Sequence, residues 1–243
     1  MGNGKSKEEL AKELNRARER LTACEKLESL GILAGSIAND FNNLLTAILG
    51  NVSLTRMSID PDSKAFLRLA EAEKACQRAR NLIKQLLTLS RGGEFPVPEK
   101  PLTSRGEEGN AALAGRGKIL IMDDEEMVRR VAGETLSNLG YEVEFARGGN
   151  EAIERYITAK QENKPFDLVI LDLKVPDGMG GGETISYLTG IDPNVKVIVS
   201  SGYANDPIMS NFRAYGFKGA ITKPYRLEEL STTVSRLISA GDE

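Results

Sequence analysis

Near the start of the chain, apolar residues recur at alternating steps of three and four positions. One run comprises Leu10, Leu14, Ala17, Leu21 and Cys24, and a second comprises Leu30, Ala34, Ile37, Phe41, Leu44 and Ile48. This spacing puts the apolar side chains on one face of an α-helix and is typical of coiled coils and helical bundles. The runs predict a coiled-coil lead-in over residues 1–19 and a long helix after it.

The segment SIDPDSK interrupts this pattern. Pro61 predicts the end of the first helix, and either Asp62 or Ser63 can cap the next one. The second helix has its own apolar stripe at Phe66, Leu69, Ala72, Cys76, Ala79, Ile83 and Leu86. A lone hairpin cannot bury both stripes, and so we expect two copies of residues 20–90 to form an all-α, homodimeric four-helix bundle.

The second half of the chain has a different pattern. Residues 91–117 are rich in Gly, Pro and charge, which predicts a flexible linker. From residue 118 to residue 240, helical stretches alternate with the apolar runs KILIM, YEVEFA, FDLVILDL, VKVIVSS and GAIT. Five strands alternating with five helices predict a doubly wound α/β domain with a five-stranded parallel sheet, as in flavodoxin-like folds.

Reactive side chains stand at the ends of four of these strands. Asp123 and Asp124 follow the first strand, Asp172 ends the third, Ser200 and Ser201 end the fourth, and Lys223 follows the fifth. Because parallel strands end at one edge of a sheet, these groups should converge there. Converging carboxylates suit Mg²⁺, and an aspartate beside the cation can accept a phosphoryl group as an acyl phosphate.

The same residues form four specific motifs. They are the pair Asp123–Asp124, the spacing Asp172, Pro176 and Gly180, the pair Ser201–Gly202, and the pair Lys223–Pro224. With these motifs, residues 118–240 resemble a response regulator receiver domain over its whole length. The resemblance implies that Asp172 is the phospho-acceptor, and that Ser201 and Lys223 contact the phosphoryl group. It also implies that Mg²⁺ is held by Asp123, Asp124, Asp172 and the backbone carbonyl of Lys174.

One position departs from that family. Ala220 stands where receiver domains carry an aromatic switch residue, three places before the lysine. An alanine cannot report phosphorylation by rotating an aromatic ring, which puts output through that surface in doubt.

The first helix carries a second resemblance. The segment EKLESLGILAGSIANDFNNLLTAILG resembles the dimerisation and histidine-phosphotransfer helices of sensor histidine kinases, particularly of hybrid kinases that carry a receiver. The family reads H-D-F-N-N where this chain reads N-D-F-N-N, so Asn39 occupies the phospho-acceptor position. At roughly 100° per residue, Ser36, Asn39, Asp40 and Asn43 share one helix face, which we expect to be solvent-facing.

Asparagine in place of histidine at position 39 is expected to remove autophosphorylation and is compatible with phosphatase activity. An amide is not a nucleophile at neutral pH, and no segment of the chain carries the nucleotide-binding motifs of a kinase, so autophosphorylation is not expected. In the family, Asp40 would be the general base of the kinase reaction, which is idle here. Asn43 would orient a water against an aspartyl phosphate, and this phosphatase role needs no histidine.

Composition narrows the partners and the location. The chain contains no histidine, which excludes His-dependent nucleophiles and His-ligated metals, and its formal net charge is −3. That charge gives no reason to expect nucleic acid as a partner. No run reaches the roughly 18 apolar residues of a membrane span. The absence of a signal peptide makes a cytoplasmic protein the expectation.

Several functions remain open from the sequence. One is a phosphorelay protein whose receiver takes phosphate from an upstream histidine kinase, a phosphotransfer protein or a small phosphodonor. In a second, the helical half docks on the receiver, in cis or in trans, and dephosphorylates it. A third is a dimeric phosphate sink or docking scaffold. A fourth is an engineered fragment of a hybrid histidine kinase, in which Asn39 and the missing ATP-binding domain reflect design.

Overall fold

The helical half contains two described helices. The computed structural model describes residues 35, 37–90, 115–176, 178–202, 206–225 and 227–239. Helix α1 covers residues 37–57, and helix α2 covers Lys64–Ser90. Of the two predicted caps, Ser63 is the one observed, because its Oγ accepts a hydrogen bond of 3.1 Å from the amide of Phe66. The predicted lead-in and residues 91–114 of the predicted linker lie outside the described residues.

Polar contacts join α1 to α2. The hydroxyl of Ser53 donates a hydrogen bond of 2.7 Å to the carboxylate of Glu73. Arg56 forms a salt bridge with the same carboxylate, and its guanidinium lies 4.5 Å from the centre of the Phe66 ring. One acidic residue of α2 therefore ties two successive turns of α1 to the second helix.

The apolar stripe of α1 is uncovered within the single chain. Ile37, Phe41, Leu44 and Ile48 are 48–52% exposed. The buried positions of α1 are instead Ala38, Asn42, Asn43, Leu45, Thr46, Ala47, Leu49 and Gly50. Helix α1 therefore buries one side and leaves the heptad-spaced side free. The predicted four-helix bundle would cover that free side, and it stays a prediction.

The second half confirms the predicted parallel sheet. Its strands are β1 (Lys118–Met122), β2 (Glu142–Ala146), β3 (Leu168–Asp172), β4 (Val197–Ser201) and β5 (Gly219–Thr222), in the order β2-β1-β3-β4-β5. All four strand pairs are parallel. Every residue of β3 and β4 is buried, as expected of central strands covered on both faces.

Helices cover both faces of this sheet. They are α3 (Glu126–Asn138), α4 (Gly149–Gln161), α5 (Gly181–Ile191), α6 (Pro207–Ser210) and α7 (Leu227–Ser239). One core cluster joins α3 and α7 to the sheet through residues such as Leu136 and Val234. The other joins α4 and α5 through residues such as Tyr156 and Leu188. The sheet and its helices therefore form a flavodoxin-like domain. None of the helices in the described part of the chain is long and apolar enough to cross a bilayer.

The fourth of the predicted five helices is a short one. Helix α6 has a single turn, capped by the Asp206 side chain with Pro207 in its first position, and a 3₁₀ turn over Phe212–Tyr215 follows. Gly216 ends that turn at φ 93°, in the left-handed region that glycine adopts without strain.

Leu136 provides a test of the sheet–helix packing. It is fully buried between α3 and the sheet, so Leu136→Ala should lower the free energy of unfolding by about 2–5 kcal/mol, the usual cost of such a cavity. The matched control Met127→Ala removes a side chain of the same helix that is 43% exposed and should cost well under half as much. Chemical denaturation measures both, and equal losses would contradict the assignment of Leu136 to the core.

Candidate functional site

Three carboxylates meet at the carboxyl edge of the sheet. Met122 of β1 pairs with Leu171 of β3, so the residues that follow them, Asp123 and Asp172, come side by side. Oxygens of Asp123, Asp124 and Asp172 all lie within 4.8 Å of one another. Asp123 and Asp172 are buried, and Asp124 is half-buried.

A buried ammonium group lies among these carboxylates. Lys223 follows β5, and its Nζ lies 2.5 Å from Oδ2 of Asp123 and 3.1 Å from Oδ2 of Asp172. Burial alone would lower the pKa of Lys223, but the two carboxylates outweigh burial and raise it above its ordinary value. The lysine therefore stays charged and holds two neighbouring strand ends together.

One positive charge does not balance three negative ones. Burial, opposed by Lys223 and reinforced by Asp123, raises the pKa of Asp172 to about 7. Burial and the charge of Asp123 also raise the pKa of Asp124. A cluster of oxygen ligands with excess negative charge fits a hard divalent cation such as Mg²⁺, which is bound by carboxylates and water. Lys174, whose carbonyl was expected to complete the set, lies two residues beyond Asp172 with an exposed side chain.

The hydroxyl residues lie on the next strand. Ser201, the predicted phosphoryl contact, is the buried last residue of β4. Ser200 pairs with Asp172 across the sheet, and its Oγ is 2.7 Å from the hydroxyl oxygen of Tyr225. Ala220 lies on β5 and packs partly against the core, so a methyl group occupies the position of the aromatic switch residue.

Two residues near the acidic cluster were not predicted from the sequence. Arg129 of α3 is buried and donates hydrogen bonds of 2.5 Å and 2.8 Å to the backbone carbonyls of Asp123 and Asp124. Tyr225 is buried, and burial raises the pKa of its phenol, which keeps it neutral. The one signal in the sequence was position, since Arg129 lies five residues after Asp124 and Tyr225 directly follows the Lys223–Pro224 pair.

Helix α1 reaches the same edge of the sheet. The amide nitrogen of Asn42 donates a hydrogen bond of 2.8 Å to the carbonyl of Gly202, the residue after Ser201. Oδ1 of Asn39 is also close, because a Cβ atom added to Gly202 would lie 3.0 Å from it. Asn39 therefore adjoins the loop that follows β4. Asn42 was not singled out in the sequence, although it lies one turn from Asn39.

The expectation that the polar face of α1 is solvent-facing is wrong for Asn43. This side chain is only 6% exposed, and its Oδ1 has no hydrogen-bond partner in the described part of the chain. The neighbouring Asn42 contacts the receiver half, which explains why this side of α1 is covered. Asn39 is half-buried and Asp40 is exposed. The side chain of Ser36 lies outside the described residues.

The carboxylate repulsion gives a prediction about stability. We expect Asp172→Asn to raise the free energy of unfolding near neutral pH without Mg²⁺ by about 1 kcal/mol or more, the scale of one pKa unit. The carboxyl of Asp172 has a pKa of about 7 in the folded chain, and ~3.9 is expected once the chain unfolds. Between these values the folded chain keeps a proton that the unfolded chain has lost, so raising the pH lowers wild-type stability.

Thermal unfolding across this pH range, with Asp40→Asn as an exposed control, measures the effect. The gap between Asp172→Asn and wild type should widen from about pH 4 to about pH 7. Added Mg²⁺ should narrow it, because the cation offsets the repulsion. A gap that stays constant across this range would contradict the raised pKa.

Comparison with known proteins agrees with this geometry. Residues 119–235 match the family model described as the response regulator receiver domain. The chain is 31% identical to sporulation initiation phosphotransferase F of Bacillus subtilis over 121 residues, which cover 50% of this chain and 93% of that protein. It is 30% identical to sensor kinase CckA of Brucella abortus over 160 residues, which cover 66% of this chain and only 16% of the kinase.

Among solved structures, response regulator TrrA of Thermotoga maritima in complex with Mg²⁺ and BeF is 28% identical. It matches with a TM-score of 0.44, covering 50% of this chain and 98% of that one. The 31% identical relative from Bacillus subtilis is matched over nearly its whole length. This chain therefore belongs to the response regulator receiver family, whose members serve in phosphorelay signalling.

Proposed function

We propose that the receiver accepts a phosphoryl group on Asp172. An oxygen of its carboxylate attacks phosphorus, the bond from phosphorus to the donor breaks, and the donor leaves with that electron pair. Asp123, Asp124, Asp172 and the backbone carbonyl of Lys174 would hold Mg²⁺, which would supply positive charge to screen the negative oxygens of the incoming group. Lys223 and Ser201 then bind the transferred phosphoryl oxygens.

The observation that carries this proposal is the geometry of the acidic cluster. Three carboxylates lie within 4.8 Å, and the one assigned as nucleophile contacts a buried ammonium. A structural salt bridge would need only one carboxylate for one lysine, and the surplus charge disfavours folding. A site that first binds a cation and then an anionic phosphoryl group accounts for the surplus negative charge.

The phosphoryl group comes from outside this chain. Asn39 cannot carry it, so an upstream histidine kinase, a phosphotransfer protein or a small phosphodonor supplies it. The proposed units are the lead-in (1–19), the helical hairpin (20–90), the linker (91–117) and the receiver (118–240), working in the cytoplasm. Because the chain spans 16% of the Brucella sensor kinase that it resembles, the same segments would also suit a fragment of a hybrid kinase.

The helical half acts on the receiver that it contacts. Asn42 holds α1 against the loop after Ser201. The buried Oδ1 of Asn43 is a hydrogen-bond acceptor that has no donor in the described part of the chain. A water molecule bound there would attack phosphorus and the bond from phosphorus to the Asp172 oxygen would break. The Asp172 carboxylate would leave with that electron pair, inorganic phosphate would be released, and one proton of the water would pass to solvent, which is phosphatase chemistry. Asp40, exposed beside Asn39, has no part in this reaction. The alternative is a phosphate sink or scaffold, in which α1 docks without hastening hydrolysis.

The experiment loads the chain with a small phosphodonor and Mg²⁺ and follows loss of the label. We expect Asp172→Asn to abolish labelling, because it removes the nucleophile. We expect Asn43→Ala to label normally and to lengthen the acyl phosphate lifetime by roughly 100-fold, the lower end of the 10²–10⁴-fold range typical of positioned general acid–base groups.

The control is Asp40→Ala, which alters the adjacent exposed side and should leave the lifetime unchanged. Equal lifetimes for wild type and Asn43→Ala would reject the phosphatase and favour the sink or scaffold. Labelling that persists in Asp172→Asn would reject the assignment of the phospho-acceptor itself.

We also propose that the chain is a homodimer through the exposed stripe of α1. Four large apolar side chains at heptad spacing, each about half exposed, lie on the side of α1 away from the receiver contact. A four-helix bundle buries regularly spaced apolar side chains of this kind between its helices.

The double substitution Phe41→Ser and Ile48→Ser tests this interface. It should halve the mass in solution to that of one 26.4 kDa chain, because the two side chains anchor the stripe. Light scattering measures the mass, and Asp40→Ser serves as the exposed polar control that should remain dimeric. A wild-type chain that is already monomeric at high concentration would contradict the proposal.

A further inference from the structure

A second contact joins α1 to the receiver, at Gly50. A Cβ atom added to Gly50 would lie 1.9 Å from Cγ1 of Val131 and 3.1 Å from its Cβ. Carbon atoms in van der Waals contact are about 3.5–4.0 Å apart, so any side chain at position 50 would collide with α3. Gly50 therefore forms a notch on α1 that receives the side chain of Val131.

The burial of Val131 supports the same arrangement. Its side chain is only 2% exposed, yet it belongs to neither of the two core clusters that flank the sheet. On α3, the positions that pack against the sheet are Val128, Ala132 and Leu136. Val131 belongs to neither set, and Gly50 of α1 faces it. We therefore expect Val131 to become more exposed when α1 leaves the receiver.

Two separate contacts fix the position of a helix better than one. Gly50 lies eight residues after Asn42, a distance of about 12 Å along a helix. The hydrogen bond from Asn42 to Gly202 sets one end, and the Gly50–Val131 contact sets the other. Together they bring Asn39, Asn42 and Asn43 to the edge that carries Asp172.

We propose that Gly50 selects the docking partner of α1, and that this partner is the receiver of the same chain. The inference rests on the proposed docking of the helical half. Glycine is a poor helix former, and position 50 is a helix interior, so its presence there has a packing reason. The notch accepts a receiver with valine or a smaller residue at the position of Val131, and it collides with one that carries leucine, isoleucine or an aromatic residue there.

The substitution Gly50→Ala separates docking from helix stability. Alanine is the better helix former, so it would strengthen a free α1, whereas in the docked chain its methyl group meets Val131. We expect the docked population to fall by roughly tenfold or more, the usual scale for overpacking a close contact. The readout is NMR of the Val131 methyl groups in the full chain, with a soluble paramagnetic agent that broadens exposed signals.

A matched control and a rescue variant sharpen the result. Asn51→Ala also replaces a residue of α1 with alanine, but its side chain is exposed, so Val131 should stay protected. For the rescue, alanine at 131 removes the colliding Cγ1 and leaves only the 3.1 Å approach of the two Cβ atoms, which a shift of a few tenths of an ångström relieves. Gly50→Ala combined with Val131→Ala should therefore regain docking. In that double variant, docking is measured by how well the amide proton signal of Gly202 is protected from broadening by the paramagnetic agent. Protection that survives Gly50→Ala, or a rescue that fails, would overturn the proposal.

A mixed sample tests whether the partner is the same chain. Isotope-labelled wild type is exchanged with an excess of unlabelled Gly50→Ala chain, and the Val131 methyl signals of the labelled chain are followed. Docking within one chain predicts unchanged protection, whereas loss of protection would assign the contact to a second copy. Labelling of Asp172 by a small phosphodonor is measured in parallel. Absence of this labelling would reject the proposed function. The labelling reaction itself does not depend on Gly50, so the two proposals are tested separately.

Discussion

The buried ammonium of Lys223 is the interaction on which the carboxyl edge of the sheet depends. It joins Asp123 and Asp172 from the ends of two adjacent strands, and it comes from a third strand. Without it, burial of two carboxylates side by side would be too costly. With it, the cluster still carries excess negative charge at one place. That excess charge suits a divalent cation, as the proposed function requires.

The two sides of helix α1 have different surroundings. One side carries the amides and Gly50 and lies against the receiver, with Asn42 bonded to the loop after β4. The other side carries Phe41 and Ile48 and is about half exposed. Side chains at these two sets of positions point in roughly opposite directions at 100° per residue. One helix can therefore contact a receiver and a second helix pair at the same time, without either contact displacing the other.

The sequence predicted the receiver fold and its acidic cluster because both follow from local pattern. Five apolar runs separated by helical stretches require a parallel sheet, and parallel strands deliver Asp123 and Asp172 to one edge. The burial of Asn43 could not be predicted, because the exposure of a helix face depends on what packs against it. Arg129 and Tyr225 were missed for a related reason: their hydrogen bonds to the acidic loop and to Ser200 depend on turn geometry that spacing does not encode.

The contact between Asn42 and Gly202 has a consequence for competition. A partner tethered to the same chain acts at an effective concentration in the millimolar range, whatever its intrinsic affinity. An external phosphotransfer protein that uses the same loop must displace α1. Its apparent association constant is therefore the intrinsic constant multiplied by the fraction of chains in which α1 is undocked. The combined strength of the Asn42–Gly202 and Gly50–Val131 contacts would thus set how selective the receiver is about its donors, since only donors that bind more strongly than α1 would displace it.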